Sequence, residues 1–451
     1  MSGYAEYREV NLPWLKAVPA HWEIRRNKNI FTEQKEIVGE RSADYTLLSL
    51  TLNGIIPRDM DGGGKFPESF DKYKIVKNGD MAFCLFDIDE TPRTVGLSGY
   101  NGMLTGAYTI MRVSNINARF IYYYYLALDN GKMLRPLYTG LRKTININTF
   151  QSTKVPVPPR EEQDQIVRFL DWKVSNINKL INIKKKEIKA IDALKRSMVS
   201  HAITRGLTAD APMKYSGVKW LGDIPQRWYT VPLYAIAQVK SINNCIDFPL
   251  MSVYLDAGVV PFVEREEKRT NATSKDLTNY QRVDCGDFVL NNQQAWRGSV
   301  GVSFHSGIVS PAYIVLSLNN TLDSHYANYL FRSRCMVDQY LVISRGVGSI
   351  QRNLYWSALK RVVVPIPSKK EQMEIVEYLD GLNNKFDATI KKLTEEVAVL
   401  EEYKNKVIAD AVTGKIDVRG IEIPEYEFVD EDNDNVDENL EQGADEPPEE
   451  E

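Results

Sequence analysis

The stretch VPVPPREEQDQIVRFLD, Val155–Asp171, returns 209 residues later as VPIPSKKEQMEIVEYLD, Val364–Asp380. In each copy a Val-Pro-x-Pro run leads into Glu-Gln and then into apolar residues three and four apart. Proline cannot donate to a ladder and keeps the chain extended, so the run reads as the end of an edge strand. The period that follows is helical. A strand-to-helix instruction written twice predicts two equivalent units, and an internal repeat sets the frame for everything else.

Upstream of each copy the same order of anchors recurs. WLKAVPAHW (Trp14–Trp22) matches WLGDIPQRW (Trp220–Trp228) as W-L-x-x-apolar-P-x-x-W. NGDMAF from Asn78 matches CGDFVL from Cys285, a Gly-Asp turn entering an apolar strand. TGAYTIM (Thr105–Met111) matches SPAYIVL (Ser310–Leu316), and Tyr125-Leu126 matches Tyr329-Leu330. Five anchors in register over some 200 residues establish a duplication. Each unit is predicted to be a mixed α/β domain of short strands, Gly, Asn and Asp turns and a tyrosine-rich helix. The run Tyr122–Tyr125 reads as core packing, although one helix face cannot bury four adjacent side chains.

After each Pro-x-Pro a long amphipathic helix is predicted. Leu379, Leu382, Phe386, Ile390, Leu393, Val397, Leu400, Val407 and Ala411 form a coiled-coil seam. Ile166, Leu170, Ile177, Ile181, Ile188, Ile191, Leu194, Met198 and Ala202 trace a less regular stripe, interrupted by Lys184. The first helix carries 11 basic and 6 acidic residues over 160–205, the second 9 and 11 over 369–419, a balance suited to pairing. The expected architecture is α+β (mixed α/β): two pseudo-twofold-related domains, 1–159 and 208–367, separated by an antiparallel two-helix coiled coil of 160–207 and 368–418. An acidic disordered tail is expected over 419–451.

Composition excludes several classes. Of 451 residues, 43% are hydrophobic and 26% charged, as in soluble globular chains, and no apolar run approaches a membrane span. The N-terminus lacks a signal pattern, which predicts a cytoplasmic chain. Four scattered cysteines and four histidines have no metal-ligand spacing, so neither zinc nor disulfides are expected. The net charge of -4 conceals a basic body: from Pro424 onward there are 14 Asp or Glu and no Lys or Arg. In the tail, Asp430, Asp432, Asp434 and Glu441 mimic a calcium loop, but Asn435 stands at the turn glycine and Asp437 at the apolar position.

No catalytic constellation is found. DGGGKF (Asp61–Phe66) lacks the first glycine and the Ser or Thr of a phosphate loop, and Glu402-Tyr403-Lys404 has nuclease spacing without its acidic partner. No dinucleotide fingerprint, serine elbow or methyltransferase motif is present.

With W-L-x-x-apolar-P-x-x-W at each entrance and V-P-x-P, Glu-Gln and a long helix at each exit, the chain resembles the specificity subunit of type I restriction-modification enzymes over about residues 10–418. The first copy departs only in TGAY for SPAY. The resemblance implies a non-catalytic chain in which each unit is a target recognition domain for one half of a split double-stranded DNA sequence, with the helices setting the spacing. It implies two modification subunits that bind S-adenosylmethionine and methylate adenine, and restriction subunits that translocate on ATP and cleave. Cofactors, magnesium included, are then expected on those partners and none in this chain.

The resemblance names no base-contacting residue, so side-chain chemistry must choose candidates: Lys and Arg for phosphates, Arg, Asn and Gln for base edges. NNQQAWRGS (Asn291–Ser299) ranks first, with Asn292, Gln293, Gln294, Trp296 and Arg297. Its counterpart FDIDETPRT (Phe86–Thr94) offers acidic acceptors for cytosine amino groups and aligns Arg93 with Arg297. Ahead of each closing strand lie TGLRKTININ, with Arg142 and Lys143, and SRGVGSIQRN, with Arg345, Gln351 and Arg352. Arg58, Lys65, Lys72 and Lys74, and Arg265, Lys268 and Arg269, form a third group. Two other classes remain open: a coiled-coil adaptor binding proteins without DNA, and a self-contained modification enzyme. Salt-dependent DNA binding discriminates against the first, and binding of S-adenosylmethionine by the chain alone would favour the second.

Overall fold

The computed structural model describes residues 2–52, 54–58, 67, 69–140, 143–262, 276–347 and 351–430. Lys65, Arg142, Arg265, Lys268, Arg269 and the calcium-like run beyond Asp430 lie outside them, as does the side chain of Gln351. Seven α-helices occur among the described residues: α1 (Ala118–Asn130), α2 (Ile147–Ser152), α3 (Arg160–Arg205), α4 (Ser324–Arg332), α5 (Arg334–Ile343), α6 (Trp356–Leu359) and α7 (Lys369–Val412). The chain is mixed α/β and divides into two compact units, Met1–Lys186 with Leu393–Glu451, and Glu187–Lys392. Both long helices run unbroken through the point of division. Among the described residues no helix is long and apolar enough to cross a membrane.

The first unit is built on a four-stranded antiparallel sheet in the order Phe31–Gln34, Thr109–Val113, Asp80–Phe83, Val95–Leu97. The period of two divides it cleanly. Met81, Phe83, Val95 and Met111 face the core formed with α1 and the start of α3, while Ala82 and Ile110 face Leu48, Ile55, Val76 and Leu104. The tyrosine run is core: Tyr123, Tyr124 and Tyr125 are buried, with hydroxyls bonded to Asp171, Trp14 and Asn27, and only Tyr122 is partly exposed. The second unit repeats the sheet order with Ala237–Val239, Tyr313–Leu318, Phe288–Asn291 and Val300–Val302. Phe288 stacks on Phe331 of α4 at 4.1 Å.

The repeated motifs prove to be buried joints. In Gly-Asp, the glycine takes a left-handed backbone (φ 88° at Gly79, 94° at Gly286) and the aspartate closes the turn. Asp80 accepts from the Lys77 amide and pairs with Arg112; Asp287 accepts from the Asp284 amide and pairs with Lys240. In V-P-x-P, Lys154–Val157 pairs with Glu23–Arg26 and Val363–Ile366 with Tyr229–Pro232, two-strand ladders in which Pro156 and Pro365 cost little. The glutamine ties this joint to the tyrosine helix. Gln163 donates to the Pro158 carbonyl and accepts from the amide of Asn117, the N-cap of α1. Gln372 donates to Pro367 and accepts from Asp323, the N-cap of α4.

Within the first unit α3 and α7 run antiparallel, with Ile177 and Ile181 against Val397 and Leu400. The lysine that interrupts the apolar stripe is explained here: Lys184 pairs with Glu396 at 3.0 Å. Within the second unit Lys195 meets Asp387 at 2.6 Å, and Ala202 and Ile203 share a core with Ile375 and Leu379. Leu194, expected in the seam, is instead 50% exposed. Beyond α7, residues 419–430 carry no helix or strand, yet they are laid on the first unit: Ile421 and Ile423 pack on its core. Composition had suggested a solvated tail from 419 onward, because isolated isoleucines among acids leave no periodic signal.

Candidate nucleic-acid interface

In the second unit the strand Phe288–Asn291 ends in a turn that the sequence shapes closely. Asn291 accepts from the Gln293 amide, the Gln294 and Arg297 amides close successive turns, and Gly298 at φ 109° returns the chain to the sheet. Ala295 is fully buried against the unit's core, and Gln294 and Trp296 on either side of it are half-exposed. Gln293 and Arg297 are exposed. Trp296 donates from its ring nitrogen to the Gln293 carbonyl at 2.9 Å, which fixes the indole as a platform. The Arg297 guanidinium lies 4.8 Å from the ring centroid.

The second candidate element converges on the same platform. Arg345–Val347 and Gln351–Asn353 pair as an antiparallel ribbon, and Arg352 lies 5.9 Å from the Trp296 ring. The Leu354 amide donates to the Asn292 carbonyl, which joins ribbon to turn. Gln293, Trp296, Arg297 and Arg352 therefore come together, with exposed Arg345 on the adjoining strand, while Asn292 and Gln294 beside them are half-buried and the Asn292 Oδ1 is covered. Stacking of guanidinium on indole holds a cation with its donors directed past the ring edge. Such a pair can grip phosphate or present a fork to a guanine.

The first unit brings its two counterparts together differently. The loop after Asp80–Phe83 turns at Asp87 (φ 45°), and Lys143 (φ 48°) reaches it, pairing with Glu90 at 2.6 Å and Asp89 at 3.2 Å. Asp89 also accepts from Arg135 and Tyr138. Desolvation opposes ionisation of Asp89, but hydrogen bonds from Arg135 and Lys143 outweigh it and hold the carboxyl below its usual range. The hydrogen bond from Lys143 lowers Glu90 likewise, and the two carboxylates raise Lys143. Arg135 and Tyr138 are additions to the sequence candidates; the only sequence signal was their place in RPLYTG just ahead of the basic loop.

Arg93 is not placed as its aligned counterpart Arg297 is. Its side chain is 15% exposed and bonds to Asp129 at 3.1 Å and Asn130 at 2.7 Å. Thr94 and Lys132 bond to the same Asp129, so the group fastens the strand Val95–Leu97 to the end of α1. Lys74 is likewise turned inward, donating to the Tyr108 carbonyl at 2.7 Å, and burial lowers its pKa. Lys72 is exposed and Arg58 half-buried at the edge of the hairpin Leu48–Thr51 and Gly54–Pro57. Neither is joined to the Asp89 cluster by a described contact.

The chain is similar to known proteins along most of its length. The family described as type I restriction modification DNA specificity domain matches residues 70–190 and 225–399. The chain is 24% identical over 441 residues to the type I restriction enzyme MjaVIII specificity subunit of Methanocaldococcus jannaschii, covering 92% of this chain and 98% of that subunit. It is 25% identical over 428 residues to the putative type I restriction enzyme MjaX specificity subunit of the same organism, covering 89% and 95%. A solved chain from a study of assembly and conformational transition in the type I R-M system shares the fold, with a TM-score of 0.58 at 14% identity over 88% of this chain and 99% of that one. With the profile matching once in each repeat, across more than half of the residues, the chain belongs to the type I restriction-modification DNA specificity family.

Proposed function

We propose that this chain is the non-catalytic reading component of its complex, recognising a bipartite, asymmetric double-stranded DNA target with one unit per half-site. The observation that carries the reading is the convergence of two sequence-distant basic elements on Trp296. No described carboxylate makes an ion pair with Arg297, Arg345 or Arg352; Arg297 and Arg345 are exposed, and Arg352 is half-buried with its Nε covered. The first unit supports an asymmetric target, since its equivalent surface presents carboxylates already matched by Lys143 and Arg135. Two surfaces of such different chemistry select different base edges.

In this reading catalysis belongs to partners. Two modification subunits carry S-adenosylmethionine and methylate adenine, and restriction subunits carry ATP and magnesium for translocation and cleavage. The chain itself supplies no cofactor site, and the assembly works in the cytoplasm. The test is reconstitution with a cognate modification subunit and S-adenosylmethionine, followed by methylated-base sequencing of random DNA. Methylation confined to one split sequence, and dependent on both chains, is expected. Methylation by this chain alone, or by the partner at unchanged sites without it, would refute the proposal.

A further inference from the structure

Residues 418–430 lie along α3 as a strap. Gln165 donates to the carbonyls of Val418 at 3.1 Å and Ile421 at 2.8 Å, and Asn182 donates to that of Asp430 at 2.9 Å. From Gln165 to Asn182 the helix rises about 26 Å, and the chain from Ile421 to Asp430 spans at most about 30 Å. The strap is therefore close to full extension, and its backbone groups need partners that no helix or strand supplies. One face of α3 supplies them. Ser175 donates to the Glu427 carbonyl at 3.0 Å and accepts from the Val429 amide at 2.7 Å, the pair of bonds that a neighbouring parallel strand would make. Asn178 donates to the Val429 carbonyl at 3.2 Å. Ser175, Asn178 and Asn182 are 2–6% exposed beneath the strap. Of the side chains over 419–430 only Ile421, Ile423 and Val429 are half-buried, and the rest are exposed. The face thus reads backbone, plus apolar side chains at three positions.

The second unit shows that the repeated frame does not require such a cover. At the repeat offset of 209, Gln165, Ser175, Asn178 and Asn182 correspond to Glu374, Asn384, Asp387 and Lys391 of α7, all of them exposed. The third of these pairs is the informative one. Asp387 takes an ion pair from Lys195 at 2.6 Å, and Lys404, the counterpart of Lys195, reaches Asn178 at 3.3 Å. An aspartate at 178 would satisfy that lysine equally well, but it has no donor for the Val429 carbonyl. The amide does both, so this face of α3 is fitted to a peptide backbone and its counterpart is not. The attachment is also one that can be exchanged. Helix-to-backbone hydrogen bonds are replaceable by water, few apolar groups are buried, and exposed Arg419 and Gly420 join the strap to Val418, which is fixed in the core.

We propose that this face of α3 is a binding site for an extended peptide with apolar residues at its first, third and ninth positions. Residues 421–430 are its resident ligand in cis, and a second peptide of the same pattern exchanges with them in trans. Recognition runs through the backbone, as when a strand is added to a sheet edge, with Ser175 standing in for the edge. Nothing in this depends on the DNA-reading function proposed above.

The probe is a fluorescent synthetic peptide of residues 418–430, followed by anisotropy against full-length chains. A strap variant carrying Ile421→Ser, Ile423→Ser and Val429→Ser leaves α3 unaltered. It should bind the peptide about tenfold tighter than the unmodified chain, because the resident competitor, present at high effective concentration, is weakened. Adding Asn178→Asp to that variant should weaken binding about tenfold while a partner for Lys404 is kept. A readout that needs no strap variant is deuterium uptake by residues 427–430 of the unmodified chain, which excess peptide should quicken about threefold with uptake in α1 unchanged. Asn178→Asp alone should quicken the same uptake about fivefold. Equal peptide affinity for the unmodified chain and the strap variant, or binding to neither, would overturn the site. Tight binding that ignores Asn178→Asp would overturn its place on α3. Uptake unchanged at saturating peptide would overturn exchange and leave the strap a fixed part of the fold.

Discussion

The two repeats agree where side chains are buried and part company where they are exposed. Gln163 and Gln372 make the same pair of bonds to a proline carbonyl and a helix N-cap. Counted from the N-caps Asn117 and Asp323, it is Tyr123 and not Tyr125 that corresponds to Tyr329, a two-residue correction to the register expected from sequence; both donate to matching aspartates, Asp171 and Asp380, although the second bond is exposed. The loops above the sheets have opposite chemistry: ion-paired carboxylates in one unit, arginines against tryptophan in the other. One frame therefore carries two independent surfaces. Even inside the frame one joint differs. Glu162 accepts from Tyr4, Trp22 and His21, whereas its counterpart Glu371 takes a two-pronged pair from Arg227.

That joint gives the largest expected effect. Glu162 is 6% exposed, so Glu162→Ala strands the buried donors of Tyr4 and Trp22 and should cost about 2–4 kcal/mol. Arg227 is 60% exposed on its side chain, so Glu371→Ala releases a cation that water can solvate and should cost about 1 kcal/mol. Urea denaturation, with hydrogen exchange in α1 and α4 as local reporters, checks the ordering. Equal losses would mean that the two joints are equivalent after all.

The arginine pair comes next and sharpens the comparison between surfaces. Arg297→Ala should cost about 1–3 kcal/mol of discrimination at one half-site if its contact is to a base, with the other half unchanged. Arg93→Ala should leave both half-sites unchanged and instead destabilise the first unit by about 1–3 kcal/mol, through loss of its bond to buried Asp129. Methylated-base sequencing separates the two outcomes. A uniform loss on all sequences for Arg297→Ala would mark a phosphate contact instead.

This contrast shows what the sequence could and could not reveal. V-P-x-P, Gly-Asp and the helical stripes are local instructions, so the two-unit mixed fold could be read from one chain. The alignment of Arg93 with Arg297 placed two side chains at matching points of a loop, but not the direction in which each points. That direction depends on Asp129 in a helix 36 residues away. Arg135 went unnoticed for the opposite reason, since it joins Asp89 only through tertiary folding across 46 residues. The polar residues Ser175, Asn178 and Asn182 are spaced by three and four, but no pattern in the sequence names their partners, the backbone of Glu427, Val429 and Asp430 some 250 residues away.

The smallest effect belongs to the ion-paired surface of the first unit, where pH tests whether its carboxylates are engaged. Asp89 and Glu90 have folded pKa values below their ordinary ones, so what they contribute is fully present above the ordinary carboxylate range, about 4–4.5, and is lost as pH falls through the lower folded values. Lys143 is raised, so its contribution is present below about 10.4 and lost only as pH climbs through its higher folded value. The cluster is thus intact across neutral pH and opens first on the acid side. Because Lys143 and Glu90 are well exposed, solvent and salt screen the pair, and the expected change is modest. Amide exchange over residues 86–94, corrected for the intrinsic pH dependence of the chemistry, should quicken about twofold between pH 6 and pH 3. Lys143→Gln should exchange faster at pH 6 and respond less to acid, since the partner that lowers both carboxylates has gone. The loop after Asn291 has no such carboxylate cluster and should show no matching acid step; an equal step there would mean that the two surfaces share a chemistry the structure assigns to only one.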